Sequence, residues 1–271
     1  MYTLQNEFLQ VTILDPEKDR LRLGPRYCHG GYIFQIADHT LGPLLSGPTY
    51  PNSFNVFDGQ GLPEAFNLSP LRTANETSTE ALVLGVGICN FTTNFITDWS
   101  EWGVTTEPSR IVFQTSHIFG GFAANIVRVI TLNNRTVRSE TKLTNLGEHW
   151  IPLRWFPHPF FPQPNSDELC KFNITVKMDD NPGYTLGTNG FLNRKGWPWT
   201  EGFFLPLQHD ANTNLIVHQR HPVLGLVTAT CSYTPAYFPV WGNPCTFSWE
   251  PFLERTIGPR QNFRWWIDYD F

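Results

Sequence analysis

The 271-residue sequence has few charged side chains, and those it has are not clustered. Asp, Glu, Lys and Arg make up 16% of the chain, well below the ~25% usual for soluble domains. The formal net charge is −5, and the nearest approach to a basic segment, Arg128–Arg138, is spread along an alternating pattern. Neither a nucleic acid nor an anionic membrane surface is therefore expected as a partner.

Paired cysteines and targeting signals are also missing. The five cysteines lie far apart with no CxxC spacing, so zinc or thioredoxin-type chemistry is not expected. Isolated cysteines in odd number are typical of small buried side chains in a reducing compartment. Residues 1–7 lack the basic and apolar regions of a signal peptide, and no apolar run approaches the ~18 residues of a membrane span. We expect a cytoplasmic protein without a bound metal.

The chain contains no convincing amphipathic helix and no repeat of roughly 20–50 residues. It also lacks a Gly-x-Ser-x-Gly elbow, a Walker loop and a GxGxxG motif. Phosphate cradles and dinucleotide sites depend on such glycine-rich turns, so no cofactor is expected.

Short strand-like segments fill the chain instead, most of them with period-two alternation of apolar and polar residues. Asn133–Arg135 is a good hairpin turn, because Asn tolerates the positive φ that such turns need. With no break in composition, we expect an all-β, antiparallel sandwich or barrel forming one domain over residues 1–271. The predicted strands are Phe8–Leu14, Arg20–Leu23, Tyr32–Ala37, Ala81–Ile88, Ile111–Thr115, Asn125–Leu132, Thr136–Asn145, Phe172–Met178, Asn214–Gln219, Gly225–Cys231, Tyr237–Trp241 and Asn262–Phe271.

The segment Pro152–Pro162 combines four prolines and four aromatic residues with one histidine, His158. Proline fixes φ and lacks a donor, which excludes a helix and argues against a central strand. The segment is therefore expected to be stiff and extended, and such a segment can hold one imidazole in a fixed place. The alternative is that the prolines end an edge strand and His158 is structural.

Aromatic residues make up 15% of the chain, including 10 Trp. In a sheet-rich, weakly acidic protein this composition indicates sugar binding, because Trp faces stack on the apolar face of a pyranose. Most of the tryptophans are expected in the core. Trp155, Trp197 and Trp199 are the better site candidates, since they lie in Pro- and Gly-rich segments, and Phe160 is a further candidate wall.

Glu250 is the candidate partner of His158 for proton transfer. It lies inside the aromatic run Thr246–Phe252, where desolvation raises the pKa of a carboxyl group. A pKa near neutrality suits general acid/base catalysis. The alternative is a glutamate at a strand end that points into water. His218 and His221 have a metal-like spacing, but on a strand and turn they do not share a face, so a structural role is favoured.

Several motifs, taken in order, resemble those of the aldose 1-epimerases, the galactose mutarotase-like proteins. The similarity spans most of the chain. The matching segments are Asp58–Pro63, Leu143–Gly147, Ile151–Leu153, Pro157–Phe161, His221–Gly225, Tyr233–Pro235, Trp241–Asn243 and Trp249–Pro251.

The resemblance implies a large antiparallel β-supersandwich with its site in a concave face of the large sheet. It also implies that Glu250 takes the proton of the anomeric hydroxyl while His158 protonates the ring oxygen. The ring opens, the C1–C2 bond rotates, and the ring closes on the other face. The polar atoms of the two residues are expected to face one pocket, about 5–8 Å apart.

The resemblance further implies a substrate-orienting carboxylate, assigned to Glu201 or Asp210, and a pocket arginine, assigned to Arg72 with Arg26 and Arg154 as alternatives. The early His-Gly motif of the family has no counterpart in Leu84–Cys89. Two other functions stay open: a non-catalytic carbohydrate-binding module, and another carbohydrate-active isomerase or lyase on this scaffold. The expected partner is a small carbohydrate, bound by a monomer or weak homodimer.

Overall fold

The computed structural model describes residues 1–73, 77–196 and 201–271. Almost all regular structure in these residues is β-strand, and the expected all-β antiparallel fold is confirmed. No helix among the described residues is long and apolar enough to cross a membrane.

The described residues form 24 strands and one single-turn 3₁₀ helix, Arg20–Arg22. In chain order the strands are β1 Tyr2–Gln5, β2 Leu9–Ile13, β3 Ile33–Asp38, β4 Gly42–Pro43, β5 Glu64–Ala65, β6 Glu80–Val83, β7 Gly87–Asn90, β8 Phe95–Trp99, β9 Gly103–Glu107, β10 Arg110–Phe119, β11 Phe122–Asn133, β12 Thr136–Asn145, β13 Ile151–Pro157, β14 Phe161–Pro162, β15 Glu168–Phe172, β16 Tyr184–Leu186, β17 Phe191–Arg194, β18 Phe203–Leu207, β19 Ile216–His221, β20 Gly225–Cys231, β21 Phe238–Gly242, β22 Thr246–Trp249, β23 Leu253–Ile257 and β24 Asn262–Asp270.

One ten-stranded antiparallel sheet dominates the molecule, in the order β16-β17-β15-β19-β20-β24-β12-β11-β10-β9. Its strands alternate between buried and solvent-facing residues, as period-two sequences dictate. The tight β11–β12 hairpin places Asn134 at φ 51°, as the Asn-rich turn predicts. The remaining strands form four smaller sheets: β1-β2-β3-β4, β6-β7-β8, β23-β13-β5 and β14-β22-β21-β18.

The sheets that contain β13 and β22 pack on the inner face of the ten-stranded sheet. Trp155 of β13 lies edge-on to Trp265 of β24, with ring centroids 5.4 Å apart. Trp249 of β22 stacks near Tyr269 of β24, at 6.2 Å. These four residues are at most 1% exposed, so the large aromatic side chains of two layers share one core.

The proline-rich segment forms a central strand, contrary to expectation. β13 lies between β23 and β5. Pro152 is the second residue of the strand and Pro157 the last, so the four residues between them, Leu153–Phe156, keep their N–H groups. Pairing with β5 covers only two residue pairs. Prolines at the ends of a short strand disturb little of its hydrogen bonding, which explains why the expectation is wrong.

Three further strand predictions are wrong. Arg20–Leu23 begins a 3₁₀ turn, and its alternation is too short to form a strand. Ala81–Ile88 contains the end of β6, a turn and the start of β7, with Gly85 at φ 75°. Phe172–Met178 is mostly irregular, since β15 ends at Phe172.

Candidate functional site

His158 is the first residue after β13. Its backbone N–H donates a hydrogen bond to the Pro63 carbonyl at 2.8 Å, and its ring stacks on Phe160 with centroids 4.3 Å apart. The Ser248 hydroxyl lies 2.9 Å from Nδ1. Backbone, ring face and Nδ1 are thus engaged, which leaves Nε2 as the nitrogen that can exchange a proton with a reaction partner.

Glu250 follows β22 and reaches this nitrogen. Its backbone N–H donates to the Pro239 carbonyl at 2.9 Å, and its Oε1 lies 3.3 Å from His158 Nε2. His158 is 4% exposed and Glu250 6%. The fold thus brings together the two residues that the sequence nominates for proton transfer.

The 3.3 Å separation of Nε2 and Oε1 shows that the expectation of about 5–8 Å, taken from groups that flank a glycosidic bond, is wrong. In a free sugar, the anomeric oxygen O1 and the ring oxygen O5 are both bonded to C1. Two side chains that lie next to each other can therefore reach both oxygens from one side of the ring.

Burial changes the acid–base properties of both side chains. It raises the pKa of Glu250 from 4.5 to about 7, because the carboxylate loses its hydration. It lowers the pKa of His158 well below 6.5, because the imidazolium is the charged form of that group. The positive charge of Arg26 is the second cause for each residue and lowers both pKa values. The pair therefore favours one shared proton over two separated charges.

Arg26 is the arginine whose charge acts on this pair. Its guanidinium lies 4.9 Å from the ring of Tyr27 and 5.0 Å from that of Phe57, and its Nη1 donates to the Phe57 carbonyl at 3.2 Å. The structure therefore supports Arg26 as the pocket arginine better than it supports Arg72. The sequence signal is the adjacent Tyr27, because stacking on two rings holds a guanidinium in place.

Two aromatic residues that the sequence did not nominate line the pair. Tyr27 lies edge-on to His158 at 6.2 Å and donates from its hydroxyl to the Asp58 carbonyl at 3.1 Å. Half-buried Trp241 lies edge-on on another side, also at 6.2 Å. In the sequence, Tyr27 could be connected with the site only through the loop Asp58–Pro63, which it contacts, and Trp241 only through the Trp241–Asn243 motif. Neither sequence feature by itself indicates a contact with His158.

The pair itself is almost fully buried, since His158 is 4% exposed and Glu250 6%. The small cavity of about 50 Å³ beside Arg26, Phe57 and Asn67 is not lined by either residue. A sugar ring can therefore contact His158 and Glu250 only after neighbouring side chains move.

The layer that carries the pair differs from the one expected. His158 follows β13 and Glu250 follows β22, both of which lie in the small sheets that cover the ten-stranded sheet. The expected position in a concave face of the large sheet is wrong for this pair, because the inner face of that sheet is filled by the shared core.

Trp155 belongs to that core and does not line the pair. It is 1% exposed and packs against Tyr233 and Trp265, with centroids 5.8 and 5.4 Å away. This core position does not support its nomination as a sugar-binding residue. Side chains alternate along a strand, so Trp155 faces the large sheet while its neighbours Arg154 and Phe156 face the other way.

Among the described residues, no hydrogen bond, ion pair or ring contact joins His158 or Glu250 to Arg72, Glu201 or Asp210. Arg72 is exposed, with its guanidinium 4.7 Å from the Phe91 ring. Glu201 is exposed, and the Asp210 side chain is 96% exposed, 3.8 Å from Lys177 Nζ. Trp197 and Trp199 lie outside the described residues. Within the described ranges no group of three or more His, Cys, Asp or Glu residues is placed to hold a metal ion.

Many of the solved structures with the same architecture are galactose mutarotase-like or aldose 1-epimerase proteins. A putative aldose 1-epimerase from Escherichia coli K12 matches with a TM-score of 0.61 and 14% identity, over 99% of this chain and 97% of that one. A galactose mutarotase-like protein from Lactobacillus casei matches at 0.59 and 12%, over 100% and 99%. A galactose mutarotase related enzyme from Lactobacillus acidophilus matches at 0.57 and 14%, over 99% and 96%.

No protein-family model matches the sequence, and no curated protein sequence does. The chain therefore has the galactose mutarotase-like fold, as its motifs indicate, at sequence identities that show the fold alone.

Proposed function

We propose that this protein is an aldose 1-epimerase-like isomerase that interconverts the α and β anomers of a free sugar by acid/base ring opening. The observation that carries the proposal is the contact between His158 Nε2 and Glu250 Oε1 at 3.3 Å in an aromatic, desolvated site. A carboxyl pKa of about 7 makes Glu250 both a usable base and a usable acid near neutral pH.

The reaction needs one proton in the pair at the start and at the end. The proton first passes from Glu250 to His158 across their 3.3 Å contact. Glu250 as carboxylate then removes the proton from O1 as His158 donates its proton to O5. The C1–O5 bond breaks, a carbonyl forms at C1, and the C1–C2 bond rotates. Ring closure then reverses both transfers. Because the two side chains touch, a proton can also pass directly between them and restore either starting form.

The contact between the two residues favours a second candidate, carbohydrate binding without turnover. Here acid and base satisfy each other at 3.3 Å, and the aromatic rings around them supply sugar-stacking surface. The other alternative, a different isomerase or a lyase on the same scaffold, would use the same pair. The proposed partner is a small carbohydrate, bound by a monomer or weak homodimer. All five cysteines are free, which supports a cytoplasmic location.

Polarimetry on a panel of freshly dissolved aldoses tests the proposal. The wild-type protein is expected to accelerate mutarotation of at least one sugar, and Glu250→Gln to abolish the acceleration, because the amide cannot accept the O1 proton. Glu148→Gln, at a side chain 76% exposed, is the control and should retain wild-type rates. Sugar binding without acceleration would instead establish the second candidate.

A further inference from the structure

A broad groove with a volume of about 830 Å³ lies along the first residues of β13 and the middle of β23. It is lined on one side by Ser69 and Arg72 and on the other by Arg154, Glu254 and Arg255. Of the described lining residues, three are arginines and one is an acid, on a chain with a formal net charge of −5. The groove therefore concentrates positive charge against the overall sign of the protein.

Each of the three arginines is held against an aromatic ring. The guanidinium-to-centroid distances are 4.7 Å for Arg72 over Phe91, 5.0 Å for Arg154 over Phe252 and 5.1 Å for Arg255 over Phe263. Stacking fixes the guanidinium plane and leaves N–H donors on its edge free. Such an edge matches the two oxygens of a carboxylate or phosphate.

The acid in the groove does not block this use. Glu254 Oε1 lies 3.1 Å from Arg154 Nε, and the two side chains are 46% and 41% exposed. Exposed ion pairs of this kind contribute little free energy. An incoming anion can therefore replace or share this contact.

Arg154 links the groove to the strand that leads into His158. Arg154 and His158 are four residues apart on or just after an extended strand, so their Cα atoms are about 13 Å apart and on the same face. Between them lie Tyr237, whose ring is 5.9 Å from the Arg154 guanidinium, and Phe252, which stacks on Phe156 at 4.5 Å. The separation of Arg154 and His158 exceeds the width of one sugar ring, and aromatic side chains lie between the two residues.

We propose that the arginine groove binds the anionic substituents of an acidic oligosaccharide whose reducing-end sugar reaches His158 and Glu250. The proposal rests on the proposed function for its reducing-end part. The reducing end carries the free anomeric carbon, so the rest of the chain must extend away from the pair. Carboxylates on the following sugar units then meet Arg154 and Arg72.

Calorimetric binding of trigalacturonate and of the neutral trisaccharide galactotriose tests this assignment. The acidic trisaccharide should bind more tightly, and its affinity should fall with added salt. Arg154→Gln and Arg72→Gln should each weaken it about tenfold or more, because a hydrogen-bonded charge pair is lost. Binding of galactotriose should change much less than that of trigalacturonate.

Arg138→Gln is the matched control. Arg138 is 40% exposed, pairs with Asp268 and stacks 4.2 Å from Trp266, on the outer face of the large sheet. It should leave trigalacturonate binding unchanged. The proposal is overturned if the two trisaccharides bind alike, if Arg154→Gln weakens binding no more than Arg138→Gln, or if polyglutamate or duplex DNA binds more tightly than trigalacturonate.

Measuring mutarotation in the same samples separates this proposal from the proposed function. If trigalacturonate binds in an arginine-dependent way but anomer exchange is not accelerated, the arginine groove is supported as an anion-binding site. The placement of the reducing-end sugar at His158 and Glu250 is then overturned, together with the proposed function. Accelerated exchange of free aldoses without preference for trigalacturonate supports the proposed function and overturns the groove.

Discussion

Glu250 is a carboxyl group that the fold keeps away from water. Burial raises its pKa to about 7, which means that the folded protein holds a proton that the unfolded chain releases above pH 4.5, the ordinary value. Between these two values the folded state binds more protons than the unfolded state, so stability falls as pH rises. The feature that suits Glu250 to proton transfer thus lowers the stability of the fold at neutral pH.

Glu250→Gln removes this effect, because the amide carries no charge at any pH. We expect the variant to be more stable than wild type by about 1–3 kcal/mol at pH 8 and to lose that advantage near pH 4, where both forms are neutral. Urea unfolding at the two pH values measures the difference. The exposed control Glu148→Gln should change stability by less than about 1 kcal/mol at either pH. A difference between Glu250→Gln and wild type that does not vary with pH would refute the burial argument.

At the scale of elements, the two-residue strand β5 organises the surroundings of His158. The Pro63 carbonyl accepts the His158 N–H at 2.8 Å, and the Glu64 carbonyl accepts the N–H of Cys28 at 2.7 Å, two residues after Arg26. The Glu64 side chain crosses to the large sheet, where it pairs with Arg128 at 2.6 Å and accepts from the Ser139 hydroxyl. A short strand thus gains a fixed position from a buried ion pair.

Breaking this pair should be costly. Glu64 is 3% exposed and Arg128 1%, so Arg128→Met leaves an unpaired buried carboxylate and should lower the free energy of unfolding by about 3–5 kcal/mol. Combining it with Glu64→Gln should recover part of that loss. Arg264→Met, which breaks a pair whose arginine is 63% exposed, should cost less than about 1 kcal/mol. Equal effects of Arg128→Met and Arg264→Met in urea unfolding would contradict this role.

Strands in which apolar and polar residues alternate over many positions, such as β12 and β24, could be predicted from sequence, because each has one buried and one solvent-facing side. The same alternation, applied to β13, would have placed Trp155 in the core. The four prolines of Pro152–Pro162 argue against a strand and so conceal this alternation. The turn at Gly85 could not be predicted, because a continuous apolar run does not show where the chain reverses its direction. Glu64 gave no signal at all, since its role depends on Arg128 and Ser139, which are far away in sequence.

At the scale of the whole molecule, the C-terminal strand lies inside the largest sheet. β24 pairs with β20 on one side and with β12 on the other, and its residues Trp265 and Tyr269 belong to the core shared with the covering sheets. Strands that are distant in sequence therefore depend on one another, so the chain should unfold as a unit.

We expect one cooperative unfolding transition for residues 1–271, with coincident midpoints by far-UV circular dichroism and tryptophan fluorescence. Removing residues 262–271 should abolish folding, because it splits the sheet between β12 and β20. Two separate transitions, or a folded truncated chain, would show that the chain is not a single folding unit.

The pH dependence of anomer exchange, followed by NMR magnetisation transfer on the best aldose substrate, tests the central claim most directly. Ring opening needs one proton in the His158–Glu250 pair, and the pair loses that proton as pH rises through about 7. The catalysed rate should therefore fall above that pH, and Glu250→Gln should show no catalysed exchange. A rate that rises through pH 7, or wild-type exchange in Glu250→Gln, would contradict the assignment of this pair as the catalytic centre.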